Sequence, residues 1–401
     1  MFITLYVSRL IRYYKLHGFL MTIGHIFAKI LVGIWVMARW RNPIREMAIK
    51  GIQRKRLVKH YSPTARNLII FLTSGFNHVN GGILSINSIY NETCKLKRIH
   101  GADTVMCTMP GQYLLLKYTK FKNRNYLYSF SEVLSYFRTL DRLLIHIPEL
   151  YVDGLAENNF LARCLRQNKI GHLYINILLQ NIEKAPFRDS VERLQKMAMV
   201  TATTAHDAYT TPEIEEKVGC RLHKLSAFGG PDKYINKKYH EKESLMIVSS
   251  DAHELKSKCL KVIAKQFPKL RLQIINNIKF EEYKILTSKA KWAITFGEGL
   301  DGYFINTIFS GGIGFAVYNN RFFTEDYKTL RTVYPDYDTL INNICSDMLD
   351  LDNEESYTQY QREQFEMCAK YWDDDVYVNN VVSFYSKYYS LENTLQEFRT
   401  S

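Results

Sequence analysis

The chain reads as an α/β protein built from two doubly wound domains with parallel sheets. Three observations predict this. Short apolar runs, each ending in small or polar residues, alternate with stretches of about ten residues at helical spacing, the pattern of βαβ units. The alternation breaks at AFGGPDKYINKKYHEKES (227–244), where Gly-Gly-Pro opens a polar run without periodicity, and then restarts. A length of 401 residues accommodates two ordinary cores.

In the first half the predicted strands are NLIIFLTSG (67–75), ADTVMCTM (102–109), RLLIHI (142–147), HLYINIL (172–178) and MVTATTA (199–205). Helical patterns lie between them, among them ILSINSIYNETCKL, SEVLSYFRTL, NNFLARCLRQN and DSVERLQKMA. In the second half SLMIVSSD (244–251), RLQIINN (271–277), KWAITF (291–296) and IGFAVY (313–318) are strands, separated by ELKSKCLKVIAKQF and FEEYKILTSKA. The expected organisation is a basic helical segment over 1–60, a first domain over 61–235 and a second over 236–335. Helices rich in aromatic and acidic residues complete it over 336–401.

The net charge of +13 is localised. Residues 1–60 hold twelve Lys/Arg against one acidic residue, Glu46, whereas the other 341 residues hold 41 basic and 39 acidic. The body therefore lacks the basic surface of a nucleic-acid binder. Seven scattered cysteines without C-x-x-C spacing point to a reduced compartment. Within the basic segment, HGFLMTIGHIFAKILVGIWVMA (17–38) has apolar residues at helical spacing, with Lys29 near its middle and arginines on both sides. This predicts an amphipathic helix on an anionic, cytoplasmic-face membrane surface. A helical hairpin packed on the body and a true span are the alternatives.

Two α/β halves face each other across a cleft, and ligands bind at the carboxyl ends of such sheets. The residues after each strand are therefore the candidates. Gly81 and Gly82 open a helix after the first strand, where backbone amides suit an anion. His146 ends RLLIHI and could donate or move a proton, although a core histidine is the commoner arrangement. His206 and Asp207 precede a Thr-Pro-Glu helix start, which reads as capping. Asp251, His253 and Lys256 follow the first strand of the second half, and Lys256, or Lys258, could offset phosphate charge. No P-loop is present, and the D-x-D string Asp350-Leu351-Asp352 lies in an acidic C-terminal region with no preceding strand, so no metal requirement is expected. In TFGEGLDGYFINTIFSGG (295–312), Gly297 and Gly299 flank Glu298 in the loop after KWAITF, where a carboxylate could accept hydrogen bonds from sugar hydroxyls.

This last run resembles the donor loop of retaining GT-B glycosyltransferases of family 4 type, with Glu298, Gly299 and the Ser310-Gly311 turn in register. The resemblance spans about residues 67–330 and departs at the eighth position after Glu298. There Asn306 stands in place of a second glutamate, a weaker acceptor. It implies the GT-B fold and a hexosyl transfer from a nucleotide-sugar to a glycan or lipid-linked acceptor of bacterial surface polysaccharide, as in rhamnosyltransferase-like enzymes. Glu298 would lie by the donor sugar, Asn306 by the ribose, and Gly81, Gly82 and Lys256 by the diphosphate; His146 would be the cleft histidine. A nucleotide-sugar epimerase or hydrolase, and a non-catalytic membrane-bound assembly protein with a degenerate cleft, are the rival readings.

Overall fold

The computed structural model describes residues 43–226 and 231–390; the apolar run 17–38 and the start of the linker lie outside them. Two parallel sheets dominate. The first contains β1 (Asn67–Thr73), β2 (Asp103–Thr108), β3 (Leu127–Ser129), β4 (Thr139–Pro148), β5 (Lys169–Leu179), β6 (Met199–Thr204) and β7 (Arg221–Lys224), in the order 3-2-1-4-5-6-7. The second contains β8 (Glu243–Val248), β9 (Arg271–Ile274), β10 (Ala290–Ile294), β11 (Ile313–Val317) and β12 (Val333–Tyr334), in the order 12-11-10-8-9. Both orders reverse once, between β1 and β4 and between β8 and β10. Those switch points leave crevices at the carboxyl ends of the strands.

The strand signals follow from burial on both faces. β1 is buried at every position after Asn67. Its side chains alternate: Leu68, Ile70 and Leu72 join Leu57, Val105 and Leu143 on one face. Ile69 and Phe71 join Ile83, Ile86 and Tyr90 on the other. A strand covered twice must be continuously apolar, which is why it is legible in the chain. Three strands have no such signal. β3, β7 and β12 have two to four residues each and lie at sheet edges.

The expected C-terminal helical unit is divided between the domains. Tyr337–Leu351 and Glu354–Ala369 bury Leu340, Ile344, Met348, Tyr357 and Tyr360 on the second sheet. Asp374–Tyr388 crosses back and buries Tyr377, Val381, Phe384 and Tyr385 against the first domain. The helix Pro43–His60 also packs on the first domain through Ile49, Gln53 and Leu57. Gln53 satisfies three backbone groups there: its Nε2 donates to Leu127 O (2.9 Å) and Leu115 O (3.2 Å), and its Oε1 accepts from Ser129 N (3.0 Å). Among the described residues no helix is long and apolar enough to cross a membrane.

Candidate active site

The loop after β10 is shaped by contacts with its own domain before any ligand enters. A Cβ at Gly297 would lie 2.9 Å from Asp251 Cγ, so the Asp251 side chain of the loop after β8 would have to shift to admit one. Gly299 has φ +81°, and a Cβ there would lie 2.6 Å from both Val317 O and the Phe323 ring. Gly299 is thus required by its backbone conformation and by crowding inside the domain, while Gly297 fits against the present position of Asp251. Asp301, the second carboxylate of the run, is an N-cap. Its Oδ1 accepts from Tyr303 N (2.8 Å) and Phe304 N (3.1 Å), and its Oδ2 from Thr295 Oγ1 (2.7 Å), starting the helix Gly302–Phe309.

Glu298 crosses to the other domain, where Asn181 Nδ2 donates to its Oε1. Asn181 directly follows Gln180 at the end of β5. The Gln180 backbone amide donates to Glu149 Oε2 (3.3 Å), and its side-chain Nε2 to Gly82 O (3.2 Å). One dipeptide therefore ties together the glycine-opened helix Gly81–Lys95, the carboxyl end of β4 and the loop carrying Glu298. These are the two switch-point crevices meeting across the cleft. Gly81 has open space where a Cβ would stand. Lys256 opens the helix Lys256–Gln266 and donates from Nζ to Ser249 O (2.6 Å) and Asp251 O (2.8 Å), which pins its ammonium over the loop after β8. His253 stacks on Tyr337 with ring centroids 3.7 Å apart. Beside Gly297, a cavity of about 510 Å³ opens between Tyr318, Asn319, Lys328 and Tyr337, large enough for much of a nucleotide.

Burial raises the carboxyl groups of this site. Glu149 is pushed up to about 7 by desolvation, against hydrogen bonds from its own, Gln180 and Asn181 backbone amides. Glu298 is also pushed up to about 7, first by desolvation, with Lys184 opposing. Asp301 rises to about 7 for the same first cause. Each group thus holds its proton more firmly folded than unfolded, and each withdraws stability as pH rises from the ordinary carboxyl range through about 7. The Glu149→Gln variant, which cannot ionise, should gain stability relative to the parent between about pH 5 and about pH 8. Urea melts at both values measure the difference. His146 and His206, lowered by burial to about 3 and about 4, work in the opposite direction but are common to both proteins. A pH-independent difference would show that Glu149 ionises as it does in water.

Three of the sequence candidates, His146, Asn306 and His206, are drawn away from the cleft. β4 runs two residues past His146, so the strand end belongs to Glu149 while the imidazole is fully buried. Its Nε2 meets Tyr385 Oη (2.9 Å), its Nδ1 meets Asn176 Nδ2 (3.0 Å), and its ring stacks on Phe71 (4.1 Å). With both nitrogens engaged and the C-terminal helix over it, His146 is a core residue, which corrects its expected catalytic place. Asn306 is 9 % exposed, beneath Gly302, with Nδ2 3.4 Å from Tyr283 Oη. His206 is likewise buried, against Tyr209, Phe322 and Trp372. Asp207 pairs with Lys224, and Thr211 caps the next helix by accepting from Ile214 N. The structure unites Glu298, Gly297, Gly299, Asp251 and Lys256, and brings Gly81 and Gly82 to them through Gln180. The sequence reading assigned no role to Glu149, Gln180 and Asn181, which lie two or three residues past the predicted strands 142–147 and 172–178.

No protein-family model and no curated protein matches the chain. Solved structures do. HepE of Anabaena in complex with UDP and glucose aligns with TM-score 0.54 and 8% identity, over 80% of this chain and 100% of that one. Its complex with UDP-glucose gives 0.50 and 9%, over 80% and 99%. Sucrose-phosphate synthase from Thermosynechococcus elongatus gives 0.47 and 9%, over 84% and 100%. The fold is α/β: two Rossmann-like parallel sheets with alternating helices, in the GT-B arrangement.

Proposed function

We propose that this chain is a glycosyltransferase that moves a sugar from a nucleotide-sugar donor to a glycan or lipid-linked acceptor, with retention of configuration and without a metal. The observation that carries the reading is the meeting of the two switch-point crevices at Glu298, Asn181, Gln180 and Gly82, in a chain whose fold neighbour HepE holds UDP and glucose. Glu298 would accept from the sugar hydroxyls. Lys256 and the amides of Gly81 and Gly82 would take the charge that develops on the departing diphosphate, an electrostatic task a metal would otherwise perform. Apposed domains exclude water and so protect the donor from hydrolysis. Glu149 and Glu298, held largely protonated below about pH 7, add little negative charge beside an incoming diphosphate.

An anion placed near these carboxyls raises their proton affinity further, so donor binding near pH 7 should take up protons. Calorimetry with UDP, GDP and dTDP, repeated in buffers of different ionisation enthalpy, measures affinity and proton uptake together. Binding of none of the three nucleotides would overturn the reading and favour the non-catalytic assembly protein.

The membrane partner belongs to the same proposal: a peripheral position on the cytoplasmic face of the cell membrane. Support comes from the outer face of the helix Pro43–His60. Ile44 (77 % exposed), Met47 (73 %), Ile52 and Val58 stand there among Arg45, Lys55 and Lys59. In flotation the protein should rise with anionic liposomes and stay behind with zwitterionic ones; equal behaviour would defeat the assignment.

A further inference from the structure

A second cavity, of about 340 Å³, lies in the first domain and shares no residue with the cleft cluster. It runs from the loop after β2 along the helix Phe130–Tyr136 to the end of the helix Phe160–Leu165. Its lining is divided by chemistry. Met109, Phe130 and Leu134 give it an apolar wall, and Arg138, Arg163 and Arg166 a basic one. Neither an aspartate nor a glutamate lines it.

The arginines stand out against the rest of the body, where basic and acidic residues nearly balance. Other arginines of the first domain pair with a nearby carboxylate, as Arg66 does with Asp141 and Arg188 with Glu192. Among the described residues these three have no carboxylate partner. Arg138 Nε donates only to Ser135 O (3.1 Å), and Arg163 lies 5.7 Å from the Phe160 ring centroid. Three exposed guanidinium groups border this one cavity, and an anion bound there would be attracted by all of them. Guanidinium forks match the oxygens of a phosphoryl group in pairs. The nearby Cys164 does not compete as an anion, because burial raises its thiol.

We infer that this cavity is a binding site for an organic phosphate, with the phosphoryl group on Arg138, Arg163 and Arg166 and an apolar substituent on Met109, Phe130 and Leu134. The inference does not depend on the donor reading, since its residues and its ligand are separate from those of the cleft. A soluble phosphate ester and a lipid phosphate headgroup share this chemistry.

The test uses the full chain with hexyl phosphate, inorganic phosphate and vesicles containing phosphatidic acid. Calorimetry follows the soluble probes, and co-sedimentation follows the vesicles. Alkylation of Cys164, read by peptide mass spectrometry, reports occupancy independently. Hexyl phosphate should bind more tightly than inorganic phosphate and protect Cys164. The double variant Arg163→Gln, Arg166→Gln should weaken hexyl phosphate by at least about tenfold, or ~1.4 kcal/mol, with the calorimetric response to UDP unchanged. A response confined to vesicles and lost in the double variant would identify the lipid source, and a response to hexyl phosphate the soluble one. Equal binding by parent and double variant, or no protection of Cys164 by any probe, would overturn the inference.

Discussion

The Glu298→Ala variant is expected to transfer sugar at least about tenfold more slowly than the parent, a loss of ~1.4 kcal/mol of transition-state stabilisation or more. The carboxyl group is the one ionisable side chain of the loop after β10 that reaches the opposite domain, through the hydrogen bond from Asn181. Its removal deletes the proposed acceptor for the sugar and one of the polar contacts between the two domains there. The nucleotide should bind within a few-fold of the parent, because its proposed contacts are with Lys256, the Gly81 and Gly82 amides and the cavity beside Gly297. The Glu298→Gln variant, which keeps the volume and one acceptor oxygen, should fall between the two. Steady-state kinetics with a lipid-linked acceptor, together with nucleotide calorimetry, separate these effects. Transfer by the alanine variant at the parent rate would refute the site.

The Tyr385→Ala variant should lose about 3–5 kcal/mol of stability, the range for removing a large buried aromatic side chain. That is a large share of the ~5–15 kcal/mol that holds an ordinary domain folded. Tyr385 is fully buried where the last helix crosses back onto the first domain. Its hydroxyl meets both His146 Nε2 and Thr93 Oγ1 (2.9 Å each), so truncation leaves a cavity and two unpaired polar atoms. The conservative Tyr385→Phe variant keeps the ring and should lose about 1–3 kcal/mol through those atoms alone. Denaturant melts measure both, and a loss below about 1 kcal/mol for the alanine variant would show that the helix contributes little. The pair also bears on His146. If its role is packing, the Tyr385→Phe protein should bind nucleotide as the parent does at temperatures where it is folded.

Several features were legible because their physical cause is local. β1, β4, β5 and β8 are apolar runs because helices cover both faces of their sheets. The rule that ligands gather at the carboxyl ends of such strands points from the sequence alone to Gly81, Gly82, Asp251, Lys256 and Glu298. The same rule applied to ILLQN and HIPEL points to Gln180, Asn181 and Glu149. Gln, Asn and a helix-starting Glu carry no motif of their own, so the chain gives no further local signal for them. The misplacement of His146 has a different origin. A strand's end cannot be read to within two residues when it runs through Ile-Pro into a helix, and the distance from cleft to core is of that order.

By itself the sequence determined the alternation of strands and helices, the break into two halves, the concentration of basic charge near the amino terminus and the loop in which Glu298 stands. All of these are written in neighbouring residues, through periodicity, turn chemistry and composition. Only the tertiary structure decided which residue of the second domain meets which residue of the first. It also decided that the last helix seals His146, that Asn306 lies beneath Gly302, and that three arginines from two separate segments share one cavity. Those outcomes depend on contacts between residues as far apart as His146 and Tyr385, or Asn181 and Glu298. Such contacts form only once both domains have packed, and no local pattern in the chain encodes them.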